Sequence, residues 1–295
     1  MSKKIDWKLL TFAIVLTALI VCGSLWDLKI AKAVYFGGKP SENIFGVFFA
    51  FVGIVPTFVG WSFLGASILC LSKKSVSSKK KRGWLIALSV LLFVLSFFFF
   101  CNTLMMVNEG AFSVHWAIAY PVGIAVLLLA AFAGYRLSQK SENARLLRTV
   151  LYLTLVSLIT MILVMTTKEI MDRPRFRFLV KTGKTEYFRQ WWQSGSNLKA
   201  SLKASAVSDE FSSFPSGHSA YAAFAVFLFP ALADFIPKLE KRKSFLFLGG
   251  VVWWVLTAFS RLTVGAHYLS DVSIAGLVTV TVCAALDLVW KRRNE

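Results

Sequence analysis

The sequence predicts an all-α fold, a polytopic membrane helix bundle of about eight transmembrane helices. Three observations predict it. Hydrophobic residues make up 57% of the 295-residue chain and charged residues only 16%, outside the range of a water-soluble globule. Uncharged apolar runs of about 18 residues or more recur, each long enough to cross roughly 30 Å of hydrocarbon as a helix. The basic residues gather in short clusters between those runs.

The eight spans cover approximately residues 9–26, 45–71, 83–101, 114–135, 149–167, 217–236, 245–264 and 271–290. The first follows Lys3, Lys4 and Lys8, so a secretory signal peptide is the alternative. Its apolar core is long, no small-x-small cleavage site is evident and further spans follow, which makes it a retained anchor. A polar loop from Ser72 to Arg82 separates the second span from the third. His115 opens the fourth beside Trp116, where an interfacial structural role fits it. The fifth runs into Lys168 and a long loop, residues 168–214, which precedes the sixth.

The net charge of +18 suggests nucleic acid in a soluble protein, but here its distribution gives membrane topology as the better explanation. Lysine and arginine crowd the N-terminus, Lys73 to Arg82, Arg136 to Arg148, Lys238 to Lys243 and the tail Lys291-Arg292-Arg293, which all fall on one side if eight spans alternate. The positive-inside rule then places both termini in the cytoplasm and the 168–214 loop outside it. Residues 102–113 agree, with no lysine or arginine and one acid, Glu109. Juxtamembrane basic clusters also attract anionic lipid, so the bilayer is the expected partner. Cys22, Cys70, Cys101 and Cys283 lie in or at the ends of spans without C-x-x-C spacing, as packing residues do.

Chemistry concentrates in the C-terminal half, where two of the three histidines fall. His267 and Asp271 are four apart, so at the start of the last helix they are expected to share one face, with the carboxylate holding one imidazole nitrogen. The other nitrogen is then left as a base or nucleophile. Arg261, after Ser260 at the end of the seventh span, is costly at membrane depth unless it faces a polar cavity, and its planar fork suits phosphate oxygens. An interfacial, snorkelling arginine is the plainer alternative.

Pro215-Ser216-Gly217-His218 ends the long loop and opens the sixth span. Proline and serine suit a helix start, whose unpaired N–H groups attract anions, and glycine admits a ligand close to the backbone. An ordinary helix cap beside an interfacial histidine is the other reading. After the fifth span come Lys168, Arg173, Arg175 and Arg177, cations on the side that positive charge avoids. Neutralisation of a phosphoryl group explains that exception. Residues 185–193, Thr-Glu-Tyr-Phe-Arg-Gln-Trp-Trp-Gln, are expected as a short interfacial helix bordering a lateral entry for lipid, with an aromatic belt as the alternative.

In these three signatures the chain resembles the type 2 phosphatidic acid phosphatase superfamily, whose pattern is Lys-x6-Arg-Pro, Pro-Ser-Gly-His, then Ser-Arg-x5-His-x3-Asp. Lys168 with Arg175 fits the first spacing, residues 215–218 match the second, and Ser260, Arg261, His267 and Asp271 match the third. Phe176 stands where the family has proline; Arg173-Pro174 supplies that dipeptide at a different spacing, so Arg173 is the fallback to Arg175. The resemblance covers residues 149–290. It implies a six-helix phosphatase core from spans three to eight, within residues 73–295, and makes residues 1–72 a two-helix N-terminal addition.

The resemblance further implies an integral membrane lipid phosphatase. His267 attacks phosphorus, Asp271 positions it, and His218 protonates the leaving oxygen and then activates water. Lys168, Arg175, Ser216, Gly217 and Arg261 hold the non-bridging oxygens, with Ser260 as a secondary candidate. No metal or other cofactor is implied, and no carboxylate cluster or His-rich ligand set appears in the extracytoplasmic segments. The expected substrate is a lipid phosphate or diphosphate, in the order polyprenyl diphosphate, phosphatidylglycerol phosphate, phosphatidate. The expected setting is the cell membrane, with the active site on the extracytoplasmic face. A lipid phosphotransferase using the same histidine, a vanadate haloperoxidase and a non-catalytic transporter or scaffold are the rivals. Eight spans argue against the haloperoxidase. The sequence leaves the oligomeric state open.

Overall fold

The structure, a computed structural model, describes residues 7–39, 42–108, 116–140, 144–202 and 209–292. Lys3, Lys4, Glu109, His115 and Arg293 lie outside that set. Among the described residues every regular element is helical: α1 (Trp7–Val34), α2 (Ile44–Val52), α3 (Val55–Ser75), α4 (Lys79–Asn108), α5 (Trp116–Gln139), α6 (Ala144–Met171), α7 (Phe176–Thr182), α8 (Ser196–Ser201), α9 (Gly217–Phe235), α10 (Lys243–Thr263) and α11 (Leu269–Arg292). Eight stretches of them are long and apolar enough to cross a membrane, as the hydropathy pattern predicts.

The second span is expected to run unbroken over residues 45–71, but it is split into α2 and α3 at Gly53 and Ile54. Pro56 is the cause. It has no N–H to give, and its ring crowds the carbonyl four residues back, so the first helix stops at Val52. The carbonyl of Gly53 is taken instead by the indole N–H of Trp253, at 2.9 Å. The expected interfacial helix at residues 185–193 is only a single 3-10 turn, Thr185–Tyr187. Trp191 turns inward: its indole donates to Ser24 Oγ at 2.9 Å and stacks on Phe214, while Trp192 stays exposed.

The chain divides into two compact units. One comprises residues 51–157 and 224–254. Within it α3 packs on α4 and α5 through small and hydroxylated residues. Ser62 and Ser96 hydroxyls meet at 2.9 Å, Ser67 donates to the Gly134 carbonyl at 3.2 Å, and the Trp61 indole donates to Ser157 at 3.0 Å. Polar side chains in lipid need such internal partners. A Cβ at Gly134 would lie 2.3 Å from the Phe63 carbonyl oxygen, so only glycine permits that approach.

The other unit comprises residues 1–50, 158–223 and 255–295. Here α1 packs along α11, burying a stripe of Phe12, Leu16, Gly23, Asp27 and Ala31. All three sequence signatures belong to this unit. They sit at the C-terminal ends of α6 and α10 and the N-terminal ends of α9 and α11.

Candidate active site

The first signature leaves a helix and enters an extended segment. Lys168 lies in the last turn of α6, and its Nζ donates to the Ser212 carbonyl at 2.7 Å. Asp172 ends the helix in a left-handed conformation, φ 45°, held by Lys199 at 2.6 Å and Ser196 at 3.1 Å. Arg173 and Arg175 then pair with the loop before α9: Ser213 N–H donates to the Arg173 carbonyl at 3.0 Å, and Arg175 N–H to the Glu210 carbonyl at 2.8 Å. That pairing brings the first signature beside the second.

The two arginines have different fates. Arg175 reaches the exposed Asp209 carboxylate through one terminal nitrogen, at 2.8 Å, and its buried Nε has no partner. Arg173, expected as the fallback phosphate ligand, is fully buried and already committed. Its Nε donates to the Arg189 carbonyl at 2.8 Å, Nη1 to Ser270 Oγ at 2.9 Å and to Asp271, and Nη2 to Asp27 at 2.9 Å. The Tyr268 ring covers it at 4.2 Å. All three of its nitrogens face protein acceptors, so Arg173 holds the site's frame while Arg175 keeps a donor free.

Ser216 caps α9. Its hydroxyl oxygen accepts the Ser219 N–H at 3.3 Å and contacts the Ser219 hydroxyl at 3.0 Å, while its own N–H donates to the Asp271 carbonyl at 3.2 Å. The α9 N-terminus is thereby tied to that of α11. A Cβ on Gly217 would meet only Met165 and Tyr221, both at 3.9 Å, so open space lies before this first turn. His218, half-buried, has its Nε2 at 3.0 Å from the Ala50 carbonyl of α2. Arg261 is buried; it donates to the Gly46 carbonyl of the same helix and, through Nε, to Ser260 Oγ at 3.1 Å. Ser260 in turn donates to the Thr257 carbonyl at 2.6 Å, so it orients the guanidinium.

The third signature departs from expectation. His267 is not on α11 but in the turn between α10 and α11, which Gly265 makes possible at φ 64°. Its spacing from Asp271 is therefore not a helical one, and Nδ1 stands 3.9 Å from the Asp271 carboxylate, too far for a hydrogen bond. The Ser213 carbonyl takes that nitrogen instead, at 2.5 Å. A carbonyl only accepts, so Nδ1 carries the proton and Nε2 carries the lone pair. Asp271 acts one bond further back: it accepts the Ser213 hydroxyl at 2.6 Å and the Tyr268 N–H at 2.8 Å, and it pairs with Arg173.

The electrostatics favour a neutral ring. Burial first, then the positive charges of Lys168 and Arg175 and the neighbouring His218, hold the His267 imidazole well below its ordinary value, against the opposing Ser213 hydrogen bond. Among the described residues no group of three or more His, Cys, Asp or Glu is placed to hold a metal ion. Asp27, Ser213, Gly265 and Ser270 shape the surroundings of these side chains, and the motifs did not name them. Asp27 had a faint signal, an acid at the very end of the first apolar run, and Gly265 had another, a glycine just past a helix end.

Fold and site together define a class, an all-α bundle of membrane-length helices in which His267, at the joint of α10 and α11, lies beside His218 and the cations Lys168 and Arg175. The chain belongs to the PAP2 superfamily, whose family model matches residues 146–295. That membership makes it a phosphatase-type phosphoester hydrolase. No curated protein and no solved structure matches the chain.

Proposed function

We propose that this protein hydrolyses a phosphate or diphosphate ester of a membrane lipid through a phosphohistidine on His267. One observation carries the reading: the neutral His267 ring presents its proton to Ser213, which leaves Nε2 as the nucleophile near Lys168, Arg175 and His218. Nε2 attacks phosphorus, and the bond from phosphorus to the lipid oxygen breaks. The leaving oxygen takes a proton from His218. Water then attacks the phosphohistidine, gives its proton to His218, and releases phosphate with the ring restored. Lys168, Arg175, Arg261, Ser216 and the α9 N-terminus with Gly217 neutralise the non-bridging oxygens.

Placement at the ends of apolar helices supports a substrate with an exposed phosphate and an apolar tail, a polyprenyl diphosphate first, then phosphatidylglycerol phosphate and phosphatidate. Loop charges support an extracytoplasmic site in the cell membrane. Purified protein is to be assayed for phosphate release across that panel, with His267→Ala and His218→Ala as controls. Release that survives His267→Ala at the wild-type rate refutes the nucleophile, and phosphorylated acceptor in place of free phosphate identifies a phosphotransferase.

A further inference from the structure

The N-terminal helix carries a charged group into the site. Asp27 is fully buried in α1, and its two oxygens reach the first turn of α11 and the signature arginine together. Oδ1 accepts the Ser270 N–H at 3.0 Å; Oδ2 accepts the Ser270 hydroxyl and the Arg173 Nη2, the latter at 2.9 Å. Asp27 is thus an N-cap supplied from another helix, satisfying a donor that α11 leaves unpaired. One turn earlier, Gly23 allows the approach: a Cβ there would lie 2.6 Å from the Ser270 nitrogen. The cluster holds two carboxylates, Asp27 and Asp271, around one guanidinium, and none of the three reaches water.

From Asp27 a continuous set of contacts leads to the proposed nucleophile. Asp27 holds Arg173 and Ser270, Arg173 and the turn hold Asp271, Asp271 holds the Ser213 hydroxyl, and the Ser213 carbonyl holds His267 Nδ1. We propose that Asp27 is a positioning residue of the active site, clamping Arg173 and the α11 N-terminus so that Asp271 and Ser213 fix the His267 ring. The proposal rests on the reading of His267 as nucleophile. Asp27 lies outside residues 146–295, so it adds to the segment that the family model matches. It also gives α1 a part in positioning the site.

The test uses the full chain in detergent, a short-chain phosphatidate as probe, and acid-labile phosphoenzyme as a second readout. Asp27→Asn keeps the shape and an acceptor but removes the charge. Expected is a kcat lower by about tenfold to hundredfold, the scale of a misplacement of about 1 Å, with KM within about twofold and slower phosphoenzyme formation. In an Asp271→Asn background the same change is expected to add little, because both act through one route. Leu16→Ala, which removes only buried packing on α1, lowers the melting temperature and leaves kcat per folded molecule unchanged. Should Asp27→Asn not fold, Ser270→Ala removes one of the groups Asp27 holds and is expected to lower kcat in the same manner. Wild-type kcat in either variant, with His267→Ala inactive, overturns the proposal alone; an active His267→Ala overturns the reading beneath it.

Discussion

The backbone carbonyl of Ser213 holds His267 by its Nδ1 at 2.5 Å, a task that pattern alone gives to Asp271. The carboxylate stands behind, receiving the Ser213 hydroxyl at 2.6 Å. Orientation of the ring therefore passes through one peptide carbonyl, which no side-chain substitution removes. Ser213→Ala tests the division of labour. Losing one buried hydrogen bond worth about 1 kcal/mol should lower kcat about fivefold, far less than loss of the imidazole. Steady-state rates of the two variants side by side decide it.

Arg173 and Arg175, two residues apart, are predicted to separate stability from activity. Arg173→Met leaves Asp27 and Asp271 buried without their cation and should cost about 3–5 kcal/mol, visible as a large fall in thermal stability. Arg175 pairs with the exposed Asp209, a contact worth at most about 1 kcal/mol. Arg175→Met should therefore melt near the wild type yet lose about a hundredfold or more in kcat/KM.

The depressed His267 value fixes the direction of a pH effect. The folded protein keeps this ring neutral below the ordinary value of 6.5, where an unfolded chain would protonate it. Its contribution to stability is thus intact above that pH and lost as the pH falls toward the folded value. The free base of the proposed nucleophile persists over the same window, so the acid limb of kcat/KM should lie below that of a free imidazole. Lys168→Met removes one of the depressing charges and should move the limb upward, as measured by rate–pH profiles on the variant and the wild type.

Two glycines in the signatures should respond oppositely to alanine. Beyond its own helical turn, a Cβ added to Gly217 meets only Met165 and Tyr221, at 3.9 Å, so Gly217→Ala should fold normally while its methyl group intrudes where a phosphate oxygen would approach, lowering kcat/KM about tenfold or more. Gly265 has φ 64°, and a Cβ would meet the Tyr35 ring at 2.9 Å and the Arg177 nitrogen at 3.0 Å. Gly265→Ala should cost about 1 kcal/mol or more and displace the turn that carries His267, two residues on. Melting curves and turnover distinguish the two.

The helices were legible because membrane length and apolar character are local properties, and the signatures were legible because each is a short run of unusual residues. What lay beyond reach were the joints. Their spacing makes His267 and Asp271 helical neighbours, although Gly265 at a helix end and the late start of α11 put the ring in a turn. Pro56 interrupts the second span for a reason present in the sequence but masked by its hydropathy. Asp27 meets Ser270 across 243 positions, a distance that no periodicity or spacing reports. Arg173 and Arg175 share one extended segment, and which of them turns inward follows from its backbone bonds to Glu210 and Ser213.

Arg173 is neutralised by one carboxylate from α1 and another from α11, the first and last long helices of the chain. Neither helix can slide or turn against the other without leaving that guanidinium short of a partner in a place water does not reach, so the charge cluster fixes the register in which α1 lies along α11.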